Sequence, residues 1–142
     1  MDFDTTEILL FIENKLHIFN EHNVLHIELF EDSLTDNDND KMHNILDVYY
    51  DNYKESNKKF NILYDFTNLS LTSMGQITLN ISTYNNHFNK HIGVLRKNLK
   101  NLFIVINNSV VRETVDSILD LYQPEIKPIL IENIESLSKY IK

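Results

Sequence analysis

The chain has no cysteine, no tryptophan and no alanine, and only two glycines and two prolines among its 142 residues. Without cysteine there can be no disulfide, no thiolate zinc site and no cysteine nucleophile; redox chemistry by the chain's own side chains is excluded, and a reducing compartment is allowed. Two glycines are too few for phosphate-cradling loops, and neither G-x-G-x-x-G nor G-x-x-x-x-G-K-[ST] occurs. No cofactor is expected. The G-x-S-x-G elbow of serine hydrolases is missing as well. Basic residues are scarce: 13 Lys+Arg against 21 Asp+Glu give a formal charge of −8. Such a chain repels phosphate backbones and anionic membranes, so nucleic acid is not an expected partner. No apolar run approaches the ~20 residues of a membrane span, and the acidic DFDTTE after Met1 stands where a signal peptide carries basic residues. A cytoplasmic protein is expected.

What is present reads as one α/β domain over residues 1–142, with residues 1–14 as an extension. There ILLFI makes a strand, or a short helix with Ile8, Leu9 and Ile12 on one face. Alternating runs at Lys15–Asn20 and Asn23–Phe30 predict a hairpin with Leu16, Ile18, Leu25, Ile27 and Leu29 buried and His17, His26 and Glu28 on the wet face. After the acidic loop Glu31–Asp40, Met42, Ile45, Leu46, Tyr49, Tyr50 and Tyr53 fall at helical spacing.

Phe60–Thr67 has the continuous apolar character of an interior strand buried on both faces between helices, and it delivers Asp65 to its carboxyl end. From Met74, residues Ile77, Ile81, Tyr84 and Phe88 predict a helix ending near Gly93, with Arg96, Lys97 and Lys100 beyond it. Leu102–Ile106 predicts a strand, Val111–Tyr122 a helix after an Asn107-Asn108-Ser109 cap, Ile129–Ile131 a short strand, and Asn133 the cap of a last helix. The order is β-β-α-β-α-β-α-β-α, a mixed sheet of about five strands with helices packed on it.

Three constellations carry chemistry in principle. Asp36 to Asp40 alternates oxygen ligands as calcium loops do, with Asp47 at the twelfth position, but Lys41 stands where the sharp turn needs glycine; a solvated capping loop fits better. His87 and His91 stand four apart on a predicted helix, a spacing that can grip a metal ion. Polar residues on a helix surface explain the pair equally. Asp65 is the best-placed acid for an enzyme, yet an Asp after a strand more often organises the following turn by accepting backbone N–H bonds.

The element order, together with the strand–turn–helix NILYDFTNLSLTSMG, resembles the STAS domain, and in particular the SpoIIAA-like anti-sigma-factor antagonists. The likeness runs from about Lys15 to the end. In that family the turn reads Asp-Ser-Ser/Thr-Gly, and its first serine is the phosphorylated switch. Here Thr72-Ser73-Met74-Gly75 occupies the turn, with Thr72 in place of the acidic residue. The resemblance implies a non-enzymatic regulatory module, Ser73 as phosphoacceptor, and a protein partner or a homodimer bound around Thr72, Ser73, Gly75 and Asp65. Some relatives hold apolar ligands between helix and sheet, so a carrier of a lipid or small apolar ligand is the second expectation and a small enzyme using Asp65 the third.

Overall fold

Strict alternation of apolar residues builds the first sheet strands of the computed structural model, which describes residues 7–30, 34–69, 81–122 and 125–140. β2 (Leu16–Glu21) and β3 (Val24–Leu29) pair antiparallel across a two-residue turn, His22-Asn23, in which both residues have positive φ (51° and 64°). That conformation matches the right-handed twist of the strands it joins. The ILLFI segment is a strand: β1 (Glu7–Ile12) pairs antiparallel with β2, with a register shift between Ile8 and Leu10. The first segment is therefore part of the sheet, which has six strands among the described residues where about five were expected.

From β3 onward the sheet is parallel. β4 (Phe60–Asp65) lies between β3 and β5 (Leu99–Val105), and β6 (Ile129–Ile131) closes the far edge in the order β1-β2-β3-β4-β5-β6. Every residue of β4 is buried, as an interior strand requires. Among the described residues the connecting helices are α1 (Asp36–Tyr53), α2 (Ile81–Lys90), α3 (Ile92–Asn98) and α4 (Ser109–Tyr122). Because β3, β4, β5 and β6 advance in one direction, crossovers of a single hand put these helices on the same face. Among the described residues the α-helices cover one face of β4, where the sequence suggested helices on both; its other face is buried all the same, with Leu63 in a cluster with Val24 and Phe103 that Leu137 packs against.

The covered face holds the main core. Leu16, Ile18, Leu25, Ile27, Phe60, Ile62 and Leu102 meet Met42, Leu46, Tyr49, Tyr50 and Tyr53 of α1 and Leu95 of α3. The three tyrosines surround the Phe60 ring at centroid distances of 5.4, 6.0 and 4.5 Å. Their stripe on α1 is core, and the Tyr49 hydroxyl donates to Asn20 Oδ1 at 2.9 Å. α4 covers the β5–β6 end through Val111, Val115 and Leu119 against Ile104 and Leu130. On the opposite face, a 3-10 helix (Ile134–Lys139) packs Leu137 near Phe103, Val105 and Ile131.

Two helix boundaries differ from the sequence reading. The second half of the acidic loop is already helical: Thr35 caps α1 by accepting from Asp38 N at 3.1 Å, and Asp38 Oδ2 accepts from Thr35 N at 2.9 Å. Asp36–Asp40 is therefore the first turn of a helix, not an open calcium loop. The helix predicted to end near Gly93 instead bends at His91 (φ −109°, ψ 19°) and continues as α3, so Gly93, Arg96 and Lys97 are helical.

Candidate functional site

Alternation along β1, β2 and β3 places Ile8, Phe11, His17, Phe19, Val24, His26 and Glu28 on the face turned away from the helices. Among the described residues no α-helix lies on this face, and the 3-10 helix packs at its β5–β6 end. The rings form a continuous row across three strands. Phe11 meets His17 edge-on at 5.5 Å, His17 lies 4.8 Å from Phe19, and Phe19 stacks on His26 at 4.4 Å with planes 8° apart. Phe11 is 63% exposed and Ile8 67%. Exposed apolar residues on α4, Val110 and Leu121, sit at opposite ends of that helix and make no such row.

A second row, one pair further along, is titratable. His17 is paired with Glu28 and Glu28 with Asp65 in the strand register. Burial, with the neighbouring Asp65 carboxylate adding to it, raises the Glu28 pKa above its ordinary value. His26 is pushed the other way: burial lowers its pKa, while Glu21 and Asp65 pull it up and His17 adds to the lowering. Nε2 of His17 is buried and makes no hydrogen bond among the described residues. The hairpin face is therefore polar as its alternation predicts, but it is half-buried and aromatic rather than simply wet.

Asp65 lies where expected, at the carboxyl end of β4, buried on this face. Its Oδ1 accepts from Thr67 N at 2.9 Å and so shapes the turn that leaves the strand. Thr72, Ser73 and Gly75 lie outside the described residues. His87 and His91 do come together, joined by Asp47 of α1, whose Oδ1 lies 2.5 Å from His91 Nε2. The sequence marked the histidine pair but not Asp47 as its companion.

No family model matches this chain, and no curated protein or solved structure matches it either.

Proposed function

We propose that the chain is a non-enzymatic protein-interaction module that binds its partner at the β1–β2 end of the sheet face turned away from the α-helices. The observation that carries this reading is the contiguous row Phe11–His17–Phe19–His26, flanked by the exposed Ile8. Aromatic side chains with an apolar body and little rotamer entropy are what protein interfaces concentrate at their centres. The Glu28–Asp65 pair beside the row favours a partner segment that carries basic residues next to apolar ones. Asp65 enters this reading as a turn-former and a source of negative charge. The likeness to the STAS domain, met in NILYDFTNLSLTSMG, points the same way: partner binding without catalysis, with Ser73, eight residues after Asp65 in the sequence, as the modifiable position.

Affinity capture from the source cells, run in parallel with wild-type chain and with Phe11→Asp, tests the proposal. Sedimentation velocity of both proteins shows whether the partner is a second copy. The expected result is one species held by the wild type, protein or self, and lost in Phe11→Asp while the circular dichroism is unchanged. Identical captured proteins and identical sedimentation for Phe11→Asp and Ile8→Asp would overturn it.

A further inference from the structure

Away from the sheet face, α1 and the α2–α3 bend meet at a cluster that neither the core nor the proposed interface uses. Asp47, His87 and His91 each offer one ligand atom, and these atoms all lie within 4.8 Å of one another. His91 Nε2 is 2.5 Å from Asp47 Oδ1, and Lys90 Nζ donates to Asp47 Oδ2 at 3.1 Å. The remaining member differs: Nε2 of His87 is buried and makes no hydrogen bond among the described residues. A buried imidazole nitrogen without a partner calls for an explanation, and an ion is one of the few that fits. His43, one turn before Asp47, stacks on His87 at 4.4 Å with planes 13° apart and walls the cluster. Tyr50 closes the floor, its ring 4.9 Å from that of His91.

We propose that Asp47, His87 and His91 bind one first-row divalent transition-metal ion, with zinc as its probe, and so clasp α1 to the α2–α3 bend. Two imidazole nitrogens and one carboxylate oxygen, with no thiolate, form the donor set of three-ligand zinc sites and of related divalent ions; calcium and magnesium want oxygen alone. Metal–ligand lengths of about 2.0–2.2 Å put tetrahedral ligands roughly 3.4 Å apart, so the cluster needs to open by about an ångström at the His91–Asp47 contact and to close elsewhere by up to about 1.4 Å. The bend at His91 keeps this ring beside Asp47, one turn from His87. Asp47 Oδ1 takes the ion in place of the His91 contact, and Oδ2 keeps Lys90.

The test is isothermal titration of tag-free, metal-free full chain with zinc chloride, with magnesium and calcium chloride as controls. The expected result is one zinc per chain, a higher Tm, no response to magnesium or calcium, and affinity at least tenfold weaker in Asp47→Asn and in His87→Gln, with His43→Gln within threefold of wild type. No zinc binding by the wild type, or a loss below tenfold in Asp47→Asn or His87→Gln, overturns the site. Should a variant fail to fold, long-range 1H–15N spectra of wild-type imidazoles decide: His87 and His91 must shift with the first equivalent of zinc. Earlier shifts at His17, His22 or His26 contradict the proposal.

Discussion

Asn98 shows how much a single polar side chain can hold. It is buried at the end of α3, and its Nδ2 donates to Ser56 O at 2.9 Å and to Lys58 O at 2.8 Å, pinning the loop that delivers the chain into β4. Replacing it by alanine removes both bonds at once. Asn98→Ala should therefore destabilise the fold by about 1–3 kcal/mol, read from urea denaturation. His26 gives a pH signature. Its folded-state pKa lies below the ordinary value, chiefly through burial, so the unfolded chain binds the proton more readily. The stability this group contributes is present above the unfolded value of about 6.5 and is lost as pH falls through the window below it. The facing groups Glu21 and Asp65 oppose this shift and His17 adds to it. Glu28, with its raised pKa, acts in the opposite sense in the more acidic range. Thermal melts from about pH 7.5 to about pH 5.5 should show a falling Tm in the wild type, and a flatter profile in His26→Gln.

The elements whose type depends on local pattern were legible. The hairpin follows from period-two alternation in LHIFNE and VLHIEL, α1 from its tyrosine stripe, and β4 from the apolar run FNILYD. α4 needed its cap, and Asn108 Oδ1 supplies it by accepting from Val110 N at 2.9 Å. What local pattern does not contain is pairing. ILLFI reads as helix or strand until β2 offers it an edge, which is why β1 was open in the sequence. The bend at His91 carries no proline, and the last helix, capped by Asn133 Oδ1 accepting from Ser136 N at 3.0 Å, tightens to 3-10 geometry that periodicity cannot distinguish over six residues. The capping box at Thr35 is a direct check at this scale. Thr35→Ala should cost about 1 kcal/mol and fray the first turn of α1, measured by chemical denaturation and by faster amide exchange at Asp38.

At the scale of the whole molecule, alternation says that each strand has two faces but not which one the helices will take. That is decided by the one-way strand order β3 to β6, which gathers α1 to α4 on one side and leaves the hairpin's aromatic row on the other. The sequence put the partner site at Thr72, Ser73, Gly75 and Asp65, of which only Asp65 lies among the described residues; it placed His17, His26 and Glu28 on a common face, as polar residues and not as a site, and the phenylalanines that join them were not placed there. Likewise Asp47 and His91 are 44 residues apart in the chain, and only the packing of α1 on the bend brings them together. The proposed interface makes a prediction about stability too. Phe11→Asp and Ile8→Asp should leave Tm within about a degree of wild type, because surface substitutions away from buried contacts usually change stability by less than ~0.5 kcal/mol.

The most direct test of the interface is hydroxyl-radical footprinting of the chain, alone and in the assembly recovered by affinity capture, with oxidation read residue by residue by mass spectrometry. Phe11, His17 and Phe19 should be oxidised in the isolated chain and protected in the assembly, while Leu121 on α4 stays equally reactive in both. Protection of Leu121 with Phe11 unchanged would place the partner on the helical side and contradict the account.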